Sequence, residues 1–295
     1  MDRVKRILNV SYAYQRGYYG EGVGVAVMDT GICQHPDFQY RIAGFRDYVG
    51  RRREKYDDNG HGTHVAGIIG GSGYMSGGRY SGIAPACHLY GCKVLDQKGN
   101  GNTRNVVEGI QWLMAHREEL RLRIINISVG MVLGARSEEK GQLLRAVEEA
   151  WDQDIVVVAA AGNNGPREGS VTIPGISRKI ITVGCYDDHG EEIRGQGLKP
   201  EYSGRGPTEC CITKPELVAC GTNIVSCAEN KTGYGSKSGT SMAAPVISGA
   251  IALLLSKYPH FCPRDVKLRL YERAVDLGLP TAKQGWGTVD MAKLL

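Results

Sequence analysis

Ser241 lies within Gly239-Thr240-Ser241-Met242-Ala243-Ala244-Pro245, directly ahead of the apolar run Val246 to Leu255. A run of that length and composition predicts a buried helix, with Ser241 in its first turn. A serine hydroxyl is a weak nucleophile until a base removes its proton. Unpaired N–H groups at a helix N-terminus would suit a developing oxyanion. A lone serine at such a place reads first as an N-cap. The chemical reading therefore needs a base, a carboxylate and an oxyanion donor elsewhere in the chain.

Candidates for all three stand beside predicted element ends. Asp29-Thr30-Gly31 closes the apolar run Val23 to Met28, and His61 opens His61-Gly62-Thr63-His64-Val65-Ala66-Gly67. Asn163 follows the apolar run Ile155 to Ala161. Amide hydrolysis uses a nucleophile, a base that takes its proton, a carboxylate that fixes the base's tautomer, and donors for the tetrahedral oxyanion. Asp29, His61, Ser241 and Asn163 could fill those four roles. Singly, Asp29 reads equally well as a turn residue, and Asn163 reads better as one. The residues alone do not choose between His61 and His64 as the base. Two histidines one helical turn apart could also point to zinc, but no third ligand stands nearby.

The elements that must position these groups follow from hydrophobic patterning. Val23–Met28, His88–Val94, Ile124–Gly130, Ile155–Ala161, Lys179–Cys185 and Glu216–Cys220 read as strands. Helices are predicted from His61 to Ile69, Val106 to Ala115 and Gln142 to Trp151, then over the Ser241 segment and from Arg264 to Glu272. Gly44 to Gly60 reads as a charged, glycine-rich loop and Gly70 to Gly78 as a flexible one. Alternating strands and helices predict an α/β fold of three layers, a central mostly parallel sheet flanked by helices. No linker or internal repeat divides the chain, so residues 1–295 read as one domain. Sites in such sheets gather at the carboxyl ends of the strands.

Composition narrows the function classes. The 295 residues carry a net charge of +5, without a basic tract interleaved with aromatics, which argues against nucleic acid as partner. Arg51-Arg52-Arg53 reads as a solvated loop. No apolar stretch is long enough for a membrane span, and the first residues lack a signal-peptide pattern. The nine cysteines include no CxxC pair, so mostly free, buried thiols in a reducing, cytoplasmic compartment are expected, with a secreted mature form as the alternative.

Taken together, four segments are similar to the signature segments of one family. Val25-Ala26-Val27-Met28-Asp29-Thr30-Gly31, His61 to Gly67, Ala160-Ala161-Gly162-Asn163 and Gly239 to Pro245 resemble those of the subtilisin-like serine proteases, in the same Asp, His, Ser order. The resemblance runs from about Gly20 to Ala250. It implies a serine endopeptidase acting on protein or peptide substrates, with Ser241 as nucleophile, His61 rather than His64 as base and acid, and Asp29 orienting His61. It implies an oxyanion hole from Asn163 and the Ser241 N–H. Extended substrate would pair with two backbone edges, Gly99-Asn100-Gly101 and Ser128-Val129-Gly130. Ala160-Ala161-Gly162 would line a broad pocket favouring apolar or aromatic side chains, with Thr172-Ile173-Pro174 on its rim. Asp57 and Asp58 read as solvated turn carboxylates, or as a lure for a basic substrate side chain.

The same resemblance implies no cofactor for the chemistry and, at most, a structural calcium with Asp37 as a ligand. The loop Gly73 to Arg79 carries Ser76 near the place of the family's asparagine, and an N-terminal ligand is missing. No pro-segment is visible, so the chain resembles intracellular or mature members. Cys33 reads as a buried small side chain, with a reactive thiol as the alternative. Rival functions are an inactive peptide-binding relative and a transpeptidase or macrocyclase that releases the acyl group to an amine. Oligomeric state is left open by the sequence.

Overall fold

The computed structural model describes residues 1–129, 137–189, 197–208, 210–230 and 232–295. Two short helices, α1 (Asp2–Ile7) and α2 (Ser11–Tyr14), precede β1 (Gly24–Asp29) and β2 (Ile42–Asp47). Then come α3 (His61–Gly70), β3 (His88–Lys93), α4 (Thr103–Ala115), β4 (Leu122–Ile127), α5 (Ser137–Asp152) and β5 (Val156–Ala160). Strands β6 (Ile181–Cys185) and β7 (Leu217–Ala219) lead to the antiparallel hairpin β8 (Ile224–Cys227) and β9 (Tyr234–Lys237). The chain ends in α6 (Thr240–Lys257), α7 (Pro263–Arg273), α8 (Thr281–Gln284) and α9 (Met291–Leu294).

The first seven strands form one parallel sheet in the order β2-β3-β1-β4-β5-β6-β7. The two neighbours of β1 are β3 and β4, so the winding reverses there: Met28 pairs with Cys92 on one side and Ile127 on the other. That reversal opens a crevice at the carboxyl ends of the strands, where Asp29 terminates β1.

The sheet is covered on both faces. Val25 and Val27 of β1 join a core built with α3 and α6, whereas Ala26 and Met28 join a second core built with α4 and α5. Successive strand side chains point to opposite faces, so both sets must be apolar. Helix α6 is buried from Met242 to Leu255, and it packs on β4, β5, β6 and α3. Its apolar run follows from that position: a helix wrapped on all sides has no polar face.

Two expectations need correction. Gly44 to Gly60 is not loop throughout, because β2 forms an edge strand, buried at Ile42 and Asp47 and partly open to solvent between them. Polar Arg46 and Asp47 hid it from a search for apolar runs. Gly70 to Gly78 includes a short 3₁₀ turn, Tyr74–Ser76, fastened by hydrogen bonds to Asp37.

Candidate active site

Asp29, His61 and Ser241 reach the crevice from β1, α3 and α6. Asp29 is fully buried. Its Oδ1 accepts the Thr30 N–H at 2.8 Å and meets His61 Nδ1 at 2.7 Å. The carboxylate can only accept, so Nδ1 carries the proton and Nε2 presents a lone pair. Burial disfavours the charged ring of His61, yet the charge and hydrogen bond of Asp29 outweigh it and raise its pKa. Lys237 opposes that rise and Asp57 adds to it.

His64 lies one turn along α3, fully buried, with Nε2 toward the carbonyls of Ile224 (2.9 Å) and Gly235 (3.1 Å). Burial, with the charges of His61 and Lys237, lowers its pKa to about 3. It is a neutral, inward-facing ring, whereas His61 meets a carboxylate.

Ser241 stands at the second position of α6, and its hydroxyl donates to the Ser128 carbonyl at 2.6 Å rather than to an imidazole nitrogen. Ser128 is held in turn by a buried chain: Ser248 donates to Asn126 at 2.8 Å, and Asn126 donates to the Ser128 hydroxyl at 2.7 Å. Asn163 is exposed, and its Oδ1 accepts both the N–H and the hydroxyl of Thr240, each at 3.0 Å. Since the Thr240 N–H can only donate, the oxygen of Asn163 is the atom turned to Thr240, and the amide nitrogen faces away from it. Thr240 also accepts the Gly162 N–H at 3.0 Å, which ties the Ala160-Ala161-Gly162 segment to α6.

Gly239 precedes α6 with φ 141°, and a Cβ there would sit 3.1 Å from Asn163 Nδ2. Gly162 has φ 89°, and a Cβ there would fall 2.4 Å from Thr172 Cγ2, so Thr172 closes directly on the pocket wall. Gly99, Asn100 and Gly101 are exposed on a tight turn in which Gly101 bridges Leu95. Ser128 is buried and Val129 half-buried after β4; Gly130 lies outside the described residues.

Asp57 and Asp58 are not free turn carboxylates. Asp57 accepts from the Thr30 hydroxyl, the N–H groups of Asn59, Gly60 and Thr63, and the Thr63 hydroxyl, all between 2.7 and 3.1 Å. It thereby caps the N-terminus of α3. Asp58 pairs at 2.6 Å with the buried Lys93, whose ammonium also donates to the Thr30 carbonyl at 2.6 Å. These supporting polar residues, with Thr240 and Asn126, were missed in the sequence, because only their three-dimensional partners distinguish them from ordinary turn and core residues. Cys33 is buried, and burial raises its pKa, which opposes thiolate reactivity. All nine cysteines are free, with only Cys210 and Cys211 exposed.

The family model described as "Subtilase family" matches residues 20–287. The chain belongs to the subtilase family. Serine protease AprX of Bacillus subtilis is 42% identical over 266 residues, which cover 84% of this chain and 60% of AprX. Subtilisin DY of Bacillus licheniformis is 36% identical, with 89% and 87% covered. Among solved structures, Sphericase superposes with a TM-score of 0.78 at 27% identity, covering 95% of this subtilase and 96% of that chain. A cold adapted subtilisin-like serine proteinase gives 0.73 at 30% identity, covering 93% and 89%. This subtilase is by class a serine endopeptidase, and proteins are its substrates.

The calcium ion that the resemblance allowed at Asp37 does not fit the residues present. Asp37 Oδ1 accepts the Met75 N–H at 3.0 Å, while Oδ2 accepts the Gly73 N–H at 3.1 Å and the Tyr234 hydroxyl at 2.8 Å. Beside it, His35 accepts the Asp37 N–H and donates to the Gly233 carbonyl, and the Cys227 thiol faces Asp37 at 3.6 Å. In the adjoining loop the carbonyls of Gly73, Tyr74, Ser76 and Gly78 all accept internal N–H groups. Lys5 adds its ammonium to Ser81 Oγ at 2.6 Å and the Gly78 carbonyl at 3.3 Å. Calcium needs six or more free oxygens, and here donors already engage them.

Proposed function

We propose that this subtilase cleaves peptide bonds through an acyl-enzyme on Ser241. His61 Nε2 takes the Ser241 proton as Oγ attacks the substrate carbonyl carbon, and Asp29 steadies the imidazolium. The tetrahedral oxyanion is held by the Asn163 amide and the Ser241 N–H. His61 then protonates the leaving amine, the C–N bond breaks, and water releases the acyl group by the reverse sequence. For the first step the Ser241 hydroxyl must leave the Ser128 carbonyl and turn to the imidazole.

One observation carries this reading: the 2.7 Å contact of Asp29 with His61 Nδ1, which leaves Nε2 unprotonated at the crevice. The small side chains of Ala160, Ala161 and Gly162 support a roomy pocket for apolar or aromatic residues before the cut bond. Gly99 to Gly101 and Ser128 to Gly130 are the edges that substrate would pair with. The free thiols favour a reducing compartment, and residues 1–295 act as one domain.

Labelling with a fluorophosphonate tests the nucleophile: it should vanish in Ser241→Ala, and persistent labelling refutes the assignment. Mass spectrometry of a digested peptide library then reads the pocket preference. Free carboxyl termini mark hydrolysis, and ligated or cyclic products would mark transfer to an amine instead.

A further inference from the structure

Away from the crevice, two lysines share one set of oxygens. Lys214 is completely buried, and its Nζ donates to the Ile180 carbonyl (3.2 Å), the Thr182 hydroxyl (3.1 Å) and both Glu216 carboxylate oxygens (2.6 and 2.8 Å). Lys267, projecting from α7, reaches the carbonyls of Arg178 (2.8 Å), Lys179 (2.9 Å) and Ile180 (3.1 Å), and Glu216 Oε1 (3.0 Å). Glu216 is itself buried and also accepts the Thr182 N–H at 2.8 Å.

An ammonium has three protons, yet Lys214 faces four oxygens at bonding distance. That is a shell around a point charge more than a set of directed bonds. The backbone from Arg178 to Ile180 turns consecutive carbonyls toward the same ammonium group, at the entrance to β6. Consecutive carbonyls, a hydroxyl and a carboxylate are the ligand types of a hard-cation site. Burial lowers the Lys214 pKa to about 8, with Glu216 opposing and Lys267 adding to the fall. The cage itself holds two cations against one carboxylate, and the charge of Glu148 also opposes the fall.

We propose that the cage of Arg178, Lys179, Ile180, Thr182 and Glu216 is a cation site occupied by the chain's own ammonium groups, Lys214 inside and Lys267 at its rim. The N···O separations, 2.6 to 3.2 Å, exceed the roughly 2.3–2.6 Å of calcium–oxygen bonds and suit a larger monovalent ion such as potassium. The parent chain therefore has no use for a metal at this place. Removing Lys214 opens the vacancy and leaves Glu216 Oε2, the Thr182 hydroxyl and the Ile180 carbonyl without its ammonium.

The test uses the full chain in a Ser241→Ala background, so that no variant digests itself. Thermal unfolding is followed in chelator-treated buffer with tetramethylammonium chloride, then with potassium chloride at equal ionic strength. The parent Tm should be the same in both salts. Lys214→Ala should melt lower by roughly 5 °C in tetramethylammonium and recover at least half of that in potassium, with saturation. Equilibrium dialysis with rubidium should find one ion bound to the variant above the parent's background. If Lys214→Ala does not fold, Lys267→Ala, which frees the Arg178 and Lys179 carbonyls, is read in the same way. Variants indifferent to potassium, or a parent that responds as strongly as they do, would overturn the proposal.

Discussion

Asn163 and Thr240 fix one another: a single amide oxygen accepts both the N–H and the hydroxyl of Thr240, each at 3.0 Å. The consequence is directional. With the oxygen committed to α6, the Asn163 NH₂ is turned away from Thr240. Asn163→Ala should lower kcat by about 10²–10³ with little change in KM, the loss typical of one oxyanion donor, a magnitude measured in a member of this same family. Thr240→Ala keeps the N–H but frees the amide to rotate, and should cost roughly tenfold in kcat. Steady-state kinetics on one peptide substrate checks both.

The Asp29–His61 pair sets the acid limb of the rate profile. His61 must be neutral to act as base, and its pKa is raised by Asp29 against the pull of burial. The limb of kcat/KM should therefore lie above the ordinary imidazole value near 6.5. Asp29→Asn should lower kcat by about 10⁴, as expected when the tautomer is wrong, and shift the limb down. The same raised pKa affects stability with a definite sign. The pair's contribution is complete below the unfolded-state pKa and declines as pH rises through the folded-state one. A pH series of chemical denaturation should show less dependence in His61→Gln.

Gly239 is required on two grounds. Its φ of 141° is strained for any side chain, and a Cβ would press on Asn163 Nδ2 at 3.1 Å. Gly239→Ala should lose about 1–3 kcal/mol of stability and lose kcat more than KM, because the crowding falls on the oxyanion donor. Denaturation midpoints and kinetics on the same preparation separate the two effects.

Asp57 gathers five donors and holds the start of α3. Asp57→Ala should leave the N–H groups of Thr63 and Gly60 without that partner and cost roughly 2–4 kcal/mol. Since His61 opens α3, kcat should fall as well. Asp57→Asn, which keeps an acceptor, should recover part of both. A calorimetric scan with an activity assay measures this.

Much of the site could be read from residue order, for a physical reason. Buried parallel strands and a buried helix need uninterrupted apolar runs, so Val23–Met28 and Val246–Leu255 advertised their elements. The reacting groups sit at the ends of those runs, which placed Asp29 and Ser241. What stayed hidden depends on partners remote in sequence. Asp57 and Asp58 looked like solvated turn residues until Thr63 and Lys93 were seen to bond them. Asp37 looked like a metal ligand until Gly73, Met75 and Tyr234 were seen to occupy its oxygens. The edge strand Ile42–Asp47 escaped because only its two ends are buried and Arg46 and Asp47 interrupt its apolar pattern.

Helix α6 carries Ser241, the proposed nucleophile, and also packs against β4, β5 and β6. It is made late: Asp29 and His61 leave the ribosome long before Ser241 does. A nascent chain is thus catalytically silent until α6 has emerged. The cutting centre comes into being only when the helix that covers β4, β5 and β6 arrives.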